Sequence, residues 1–320
     1  MKKILAMVLA LMMVLAASAM AEESYNIGIC QLVQHVALDD ATRGFKDALT
    51  AKLGDKVSFD ERNASNDITN CSIISNDFAA NGVDLIMANA TPALQAAMNA
   101  TIDIPILGTS ITDYGTALGM DNWTGVTGMN VSGTSDLAPL TEQAQMMIDT
   151  LKLQSGAKVG LLYCSSEPNS QYQVDVVREY LTGKGLVCTD YKFSDSNVLA
   201  TVTEKASSDC EAIYVPTDNT VASNTEIIKN ICDKPIFAGE EATCKGCGYA
   251  TLSISYYNIG KVTGEMAADI LLGNADIEDM AIKYDASPVK KYNKAICDEL
   301  EIDTAALEEA GYVMIPGTEN

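Results

Sequence analysis

Asp84-Leu-Ile-Met-Ala-Asn-Ala-Thr91 and Glu211-Ala-Ile-Tyr-Val-Pro-Thr-Asp218 share one pattern, an apolar run of strand type that ends in a polar cluster. Each is followed by a second matching segment, Ile104-Pro-Ile-Leu-Gly-Thr-Ser110 in the first half and Lys234-Pro-Ile-Phe-Ala-Gly-Glu240 in the second. The spacing is also alike, since 19 residues separate Thr91 from Ser110 and 22 separate Asp218 from Glu240. Two unrelated doubly wound domains could share matches this short, but the similar spacing favours two similar lobes.

Strand-like and helical patterns alternate along the rest of the chain. The first helix is predicted over residues 39–53, with Asp39 or Asp40 as its N-cap, because apolar residues recur there at helical spacing. Short apolar runs bounded by Gly, Asn, Asp or Pro predict strands at 25–30, 57–59, 83–87, 104–107, 158–163, 186–191, 212–215 and 235–238. This alternation predicts an α/β protein of two doubly wound parallel-sheet lobes with a ligand cleft between them.

Acidic residues dominate the charge of the chain. Its 320 residues include 43 Asp and Glu against 21 Lys and Arg, a formal net charge of −22. Such a surface repels phosphate backbones, so nucleic acid is not an expected partner. A single His excludes a His-rich metal site, and the sequence has no P-loop, dinucleotide-binding or serine-elbow motif. We expect no cofactor, no metal and no enzymatic activity.

Residues 1–21 have the three regions of a secretory signal peptide. Lys2 and Lys3 precede an apolar run over residues 4–17, and Ala19-Met20-Ala21 places small residues before a cut ahead of Glu22. An uncleaved anchor is the alternative, but the run is short for a membrane span, which needs about 20 residues. We expect an extracytoplasmic protein, in the periplasm or at the cell surface, without a lipid-anchor cysteine.

Nine cysteines cannot all pair within one exported chain. Cys30, Cys164 and Cys188 fall in or at the ends of predicted strands, where Cys is usually a small buried hydrophobe. Cys244-Lys-Gly-Cys247 has the spacing of a redox pair or of half a zinc site. Neither a second such pair nor a nearby His completes it. A local disulfide or unpaired loop thiols are therefore favoured over a catalytic or metal role.

Polar residues follow the predicted strands at the positions that would line a cleft. Ligands of open α/β sheets bind beyond the carboxyl ends of the strands. The walls expected from the first lobe are residues 31–35, Thr91 and 109–113. Those expected from the second lobe are residues 165–170, 217–219 and 239–241.

Longer motifs carry a resemblance to a known family. They are Gln31-Leu-Val-Gln-His35, Ser165-Ser-Glu-Pro-Asn-Ser170, Tyr214-Val-Pro-Thr-Asp-Asn-Thr-Val-Ala-Ser223, and Gly239-Glu-Glu241 leading to Ser255-Tyr-Tyr257 with Gly260 and Gly264. Over about residues 25–272 the sequence resembles the substrate-binding proteins of ABC importers, in the branch whose characterised members take aromatic amino acids such as tryptophan, tyrosine and phenylalanine. The chain departs from many relatives in lacking a lipid-anchor Cys and in carrying Cys244 and Cys247 in what we expect to be a loop.

The resemblance implies a type I periplasmic-binding fold and a monomer that serves a membrane permease. We expect residues 22–130 and about 253–285 to form lobe 1, and residues 131–252 and about 286–320 to form lobe 2. Hinge strands near 128–132 and 250–255 would let the lobes close on the ligand.

A zwitterionic amino acid needs N–H or hydroxyl donors for its carboxylate and an anion for its ammonium. Ser165 or Ser166 is predicted to cap a helix that begins near Pro168, which leaves the N–H groups of Asn169 and Ser170 for the carboxylate. Simple helix capping is the alternative. Glu167 would repel a carboxylate, so it is predicted to point outward.

Asp218 is the favoured partner of the ammonium, with Glu240 next and Glu241 also a candidate. The alternative is that Asp218 only caps the helix that starts near Asn219. Two roles are equally consistent with His35, a hydrogen bond to the ligand and packing within a loop. Four tyrosines are candidates for stacking on an aromatic ligand, although a role in the core or at the surface is favoured for each: Tyr163, Tyr172, Tyr256 and Tyr257. The remaining predicted ligand contacts are Gln31, Thr91, Thr109, Ser110, Asp113 and Asn219.

Three functional classes remain open from the sequence. A solute receptor for an ABC importer is favoured. A sensory binding protein differs from it only in the membrane partner. A thiol oxidoreductase using Cys244 and Cys247 is the third class, and it is the least supported.

Overall fold

Two mostly parallel sheets organise the fold of the computed structural model, which describes residues 24–285 and 287–319. Its strands are β1 (Tyr25–Gln31), β2 (Val57–Asn63), β3 (Leu85–Asn89), β4 (Ile106–Ile111), β5 (Val131–Ser135), β6 (Lys158–Cys164), β7 (Val187–Phe193), β8 (Ala212–Val215), β9 (Ile236–Ala238), β10 (Ala250–Ser253), β11 (Lys283–Tyr284), β12 (Val289–Tyr292) and β13 (Val313–Met314). The first sheet has the order β11-β5-β4-β3-β1-β2 and the second β13-β12-β10-β9-β8-β6-β7. Only β10 and β12 pair antiparallel among these strands. The prediction of two similar parallel-sheet lobes is confirmed.

Helices connect the strands and bury both faces of each sheet. They are α1 (Val36–Leu53), α2 (Ile68–Asn81), α3 (Thr91–Ala100), α4 (Tyr114–Leu118), α5 (Leu140–Leu151), α6 (Pro168–Gly183), α7 (Leu199–Asp209), α8 (Asn219–Ala222), α9 (Thr225–Ile231), α10 (Glu241–Cys247), α11 (Tyr256–Leu271), α12 (Lys294–Glu299) and α13 (Thr304–Glu309). Along β1, Ile27 and Ile29 pack with Phe45 of α1, whereas Cys30 belongs to the cluster around Phe78 of α2. Burial on both faces explains why the strands read as continuous apolar runs.

All eight predicted strands are present, with small differences at their ends. The strand predicted at 104–107 begins later, at Ile106, because Pro105 has no N–H for a sheet hydrogen bond. It also continues to Ile111 through Gly108-Thr-Ser, which the apolar pattern did not include.

The first helix begins at Val36, earlier than predicted. Its N-cap is His35, which makes no side-chain capping bond, so the prediction of Asp39 or Asp40 as the cap is wrong. Asp39 lies inside the first turn, where its backbone N–H donates to the carbonyl oxygen of His35. Its side chain instead accepts a hydrogen bond from Nε2 of Gln31 at 2.7 Å.

The chain passes between the two sheets three times, after β5, after β10 and after β11. β5 pairs with β4 in the first sheet, so the first passage follows Ser135 and not residue 130. Residues 131–135 therefore belong to lobe 1 rather than to lobe 2. The polar sequence Val131-Ser-Gly-Thr-Ser135 lacks the apolar run that marks the other inner strands. The later two passages follow Ser253 of β10 and Tyr284 of β11.

Within the described residues, no helix combines the length and the apolar character needed to cross a bilayer. The predicted signal peptide over residues 1–21 lies outside the described part of the chain.

Candidate functional site

Loops at the carboxyl ends of strands from both sheets enclose a small chamber. Its volume is about 10 Å³, room for about one water molecule. The residues that line it are His35, Leu38, Ser110, Asp136, Asn169, Thr217, Asp218, Asn219, Ala222, Glu240 and Tyr256. Six of these were predicted as ligand contacts from the sequence: His35, Ser110, Asn169, Asp218, Asn219 and Glu240.

The two lobes are closed on each other around this chamber. Nε2 of His35 in lobe 1 lies 3.3 Å from Oδ1 of Asn219 in lobe 2. Nδ2 of Asn66 donates to Oγ1 of Thr220 across the same gap at 3.0 Å. Because the remaining space is so small, a ligand the size of an amino acid cannot enter without separation of the lobes.

Acidic groups dominate the wall of the chamber. Asp136, Asp218 and Glu240 line it and are buried. Among the described residues that line it, there is no Lys or Arg. Buried carboxylates are costly when no positive charge accompanies them. The chamber is therefore suited to a ligand that supplies a cation.

Asp218 both caps a helix and faces the chamber. Its Oδ1 accepts from the backbone N–H of Val221 in α8 at 2.9 Å. Its Oδ2 accepts from the N–H of Cys164 at 2.7 Å and from the Ser170 hydroxyl at 2.8 Å. Burial, and then the nearby carboxylate of Glu167, raises the pKa of Asp218 to about 8. Without a nearby cation, Asp218 therefore favours its protonated form at neutral pH, and a ligand cation would compete with that proton.

Glu167 is buried, so the prediction that it points outward is wrong. Its carboxylate accepts from the backbone N–H of Asn219 at 3.0 Å and of Thr220 at 2.9 Å, and from the Thr220 hydroxyl at 2.7 Å. These residues open α8, whose first N–H groups have no partner within the helix. Glu167 therefore points inward because it binds the first N–H groups of a helix from another part of the chain, an effect that repulsion from a ligand does not include.

Glu240 occupies a comparable position at the start of α10. Its carboxylate is the N-cap and accepts from the backbone N–H of Ala242 at 2.5 Å and of Thr243. Two of the roughly four acceptor positions of this carboxylate are thus occupied. The remaining acceptor positions can bind a donor group of a ligand at the chamber wall.

Asp136 is a chamber residue that the sequence analysis missed. It follows β5 and accepts from the Tyr256 hydroxyl at 2.8 Å and from the Thr112 hydroxyl at 3.0 Å. Burial raises the pKa of Asp136 to about 6, although these two hydrogen bonds act in the opposite direction. The position of Asp136 directly after a strand is a signal that could have found it. The sequence analysis instead assigns residues 131–135 to lobe 2, so this signal was not used.

Three polar atoms at the chamber lack a hydrogen-bond partner among the described residues. They are Nδ1 of His35, Oγ of Ser110 and Oδ1 of Asn169, all in buried positions. Ser110 also has a φ of 58°, a left-handed conformation that costs energy in a residue other than Gly. Buried polar atoms are almost always bonded, so these atoms indicate a missing partner such as a ligand or water.

The predicted serine cap before α6 is wrong. The Ser165 and Ser166 hydroxyls donate to the carbonyl oxygens of Phe193 and Ser194, at 3.1 and 3.0 Å. Glu167 is the N-cap, without a side-chain capping bond. The N–H of Ser170 is not left for an anion, because it donates to the carbonyl of Glu167 at 3.1 Å.

Six other predicted contacts do not line the chamber in this closed form. Gln31 accepts from the Thr42 hydroxyl at 2.6 Å, and Asp113 caps α4. Three more are Thr91 at the start of α3, Thr109 beside Thr134, and exposed Ser166. The Ser170 hydroxyl donates to Asp218, which lines the chamber.

The four candidate tyrosines lie in different places. Tyr256 lines the chamber, and Tyr163 is buried in the core of lobe 2. Tyr172 packs against that core, and the Tyr257 hydroxyl donates to Asp47.

A wider cavity of about 650 Å³, which we call the vestibule, adjoins the chamber. His35, Ala222, Glu240 and Tyr256 line both spaces. The vestibule thus continues the chamber outward and offers room for the larger part of a ligand.

All nine cysteines are free thiols. Cys244 and Cys247 lie in helix α10 and are buried, so the expectation that they occupy a loop is wrong. Burial raises the pKa of the Cys247 thiol, which disfavours the reactive thiolate. Within the described residues, no group of three or more His, Cys, Asp or Glu side chains is arranged to hold a metal ion.

The model of the ABC transporter substrate binding protein family matches residues 26–310. The chain belongs to this family. Members bind a small ligand and work with an ABC transporter, and the binding proteins of importers are extracytoplasmic.

Three relatives are similar over most of their length. The "Tyrosine-binding protein" of Clostridioides difficile (strain R20291) is 36% identical over 256 residues, which are 78% of this chain and 73% of that protein. A crystal structure of an ABC domain from Streptococcus pneumonia in complex with L-Trp is 32% identical with a TM-score of 0.84, and the match covers 91% of this chain and 100% of that one. The ligand-free, open structure of a substrate-binding protein with adhesive properties from Clostridium difficile is 34% identical with a TM-score of 0.68, and the match covers 91% of this chain and 99% of that one.

Proposed function

We propose that this substrate-binding protein is a monomer outside the cytoplasm that delivers an aromatic L-amino acid to an ABC importer and has no catalytic activity of its own. The observation that carries the proposal is the closed chamber between the lobes, with three buried carboxylates and no lining Lys or Arg. An α-ammonium group supplies the charge that this chamber lacks. The tyrosine and L-Trp named for two relatives support an aromatic side chain.

The ligand's ammonium is placed among Asp218, Glu240 and Asp136. The ligand's carboxylate needs donors other than Lys and Arg, because neither is among the residues that line the chamber. The unpartnered hydroxyl of Ser110 is one such donor, and His35 is another when Nδ1 carries a proton. The aromatic ring then extends past Tyr256 toward the vestibule, where Tyr256 is placed to contact it.

Calorimetry with the purified chain tests this function. Titration with L-tyrosine, L-tryptophan and L-phenylalanine is expected to release or absorb heat with a dissociation constant on the order of micromolar or tighter, about −8 kcal/mol. Sugars and nucleobases are expected to give none, because they carry no ammonium. Heat from a sugar or a nucleobase, with none from any amino acid, would overturn the proposal.

We also expect the lobes to open and close about the three passages between the sheets. The similarity supports this: the TM-score is 0.84 to the L-Trp complex but 0.68 to the ligand-free open relative, although the identities are nearly equal. Small-angle X-ray scattering should show a smaller radius of gyration with saturating L-tyrosine than without ligand. Identical dimensions in the two states would contradict hinge closure.

A further inference from the structure

Helix α10 runs from the chamber into the vestibule and carries opposite charges at its two ends. Glu240 caps the helix at the chamber wall, and Lys245 lines the vestibule. Five residues of helix span about 7.5 Å along the axis. The vestibule itself carries charges of both signs, Asp40 and Glu241 with Lys245 and Lys291, and Asp40 is paired with Arg43 at 2.8 Å.

The two lysines of the vestibule differ in their partners. Nζ of Lys291 lies 2.5 Å from a carboxylate oxygen of Glu241, so its charge is already compensated. Lys245 is exposed and has no acidic partner within ion-pair distance among the described residues. Its ammonium is therefore available to an anionic group that enters the vestibule.

From this geometry we infer that the receptor also binds short peptides of two or three residues with an aromatic residue at the amino terminus. The inference rests on the proposed function for that first residue, whose ammonium occupies the acidic chamber. The second residue and the terminal carboxylate then lie in the vestibule, near Lys245.

The chemistry of the chamber suits such a peptide. A free amino acid brings its carboxylate next to its ammonium, among Asp136, Asp218 and Glu240. In a peptide the same position holds a neutral amide, so no like charges meet there. Each further extended residue moves the carboxylate outward by about 3.3–3.6 Å. The carboxylate of a peptide of two or three residues therefore lies outside the chamber, in the vestibule that Lys245 lines.

The vestibule wall also provides apolar surface for a second side chain. Val36 and Ile254 line it from the lobe 1 helix and from the passage after β10, and Ile315 and Pro316 line it from the end of the chain. At about 650 Å³ the cavity has room for a further residue beyond the first.

Calorimetry with L-tyrosine, L-tyrosinamide and L-tyrosyl-L-alanine tests the inference on the intact chain. We expect the dipeptide to bind within about tenfold of L-tyrosine. Lys245→Gln should weaken the dipeptide about three- to fivefold, as expected for an exposed charge contact, and leave the other two ligands unchanged. Lys192→Gln, an exposed residue of β7 outside the vestibule, is the matched control and should change none of them.

Dipeptide binding more than tenfold weaker than that of L-tyrosine would overturn the inference. So would a Lys245→Gln variant that leaves dipeptide affinity unchanged or weakens all three ligands equally. Dipeptide binding that depends on Lys245, without any binding of L-tyrosine, would support the peptide site and overturn the proposed amino-acid function. Absence of binding by all three ligands would overturn both.

Discussion

Asp218→Asn weakens the binding of an aromatic L-amino acid by about thirtyfold or more in our account. The substitution leaves the ligand's buried ammonium without one counter-charge, a loss of roughly 2–5 kcal/mol for a desolvated pair. Calorimetry on the folded variant measures the loss. Asp149→Asn is the matched control, because this exposed residue of α5 lies away from the chamber and should leave affinity unchanged.

The pH dependence of binding gives the same prediction a second readout. Burial raises the pKa of Asp218 to about 8, so below that pH the ligand's ammonium must displace a proton. Wild-type affinity should therefore rise as the pH increases from about 6 to 8, and Asp218→Asn should lose most of this rise. Near-normal affinity in Asp218→Asn, with a loss in Glu240→Gln, would move the ammonium contact to the neighbouring loop. Normal affinity in both would contradict ammonium recognition by these two residues.

Gly260→Ala should lower the free energy of unfolding by roughly 1–3 kcal/mol, with a drop of several degrees in Tm. Helices α1 and α11 pack backbone against backbone in lobe 1. A Cβ atom on Gly260 would overlap the carbonyl oxygen of Ala41 and lie 2.7 Å from the carbonyl carbon of the same residue. Gly44 faces the carbonyl of Tyr257 in the same way, so the two helices cannot give way without separating.

Gly183→Ala is the control for this prediction. Gly183 also lies in a helix, but a Cβ there would meet no atom within 4 Å. Alanine has the better helix propensity, so this variant should be neutral or more stable by up to about 1 kcal/mol. Thermal unfolding of both variants checks the pair. If Gly260→Ala were as stable as Gly183→Ala, close backbone packing would not be what requires glycine at this position.

The fold could be predicted from local patterns because each inner strand is buried on both faces. β3 is apolar up to its last residue, Asn89, and β8 is apolar throughout, with Thr217 and Asp218 soon after it. Such runs are recognisable without tertiary information. β5 was assigned to the wrong lobe because Val131-Ser-Gly-Thr-Ser135 is polar although it is buried. The short strands β11 and β13 carry two residues each, too few to form a periodic pattern.

Sequence reasoning placed two carboxylates at the chamber where they lie within three positions of the end of a strand, and it failed where a role depends on distant segments. Asp218 lies three residues after β8 and Glu240 two residues after β9, and both line the chamber. Glu167 was misassigned because its partners are the first N–H groups of α8, about fifty residues later in the sequence. Such contacts depend on how the second sheet places two loops side by side, which no local pattern contains.

The contact between the ligand's ammonium and Asp218 is the central claim, and a double-mutant cycle measures it directly. Wild type and Asp218→Asn are titrated with L-tyrosine and with 3-(4-hydroxyphenyl)propionate, which keeps the ring and the carboxylate but has no amine. Wild type should prefer L-tyrosine, and Asp218→Asn should reduce this preference by about thirtyfold or more, a coupling of about 2 kcal/mol or more. Equal affinity of the wild type for the two ligands would contradict the account.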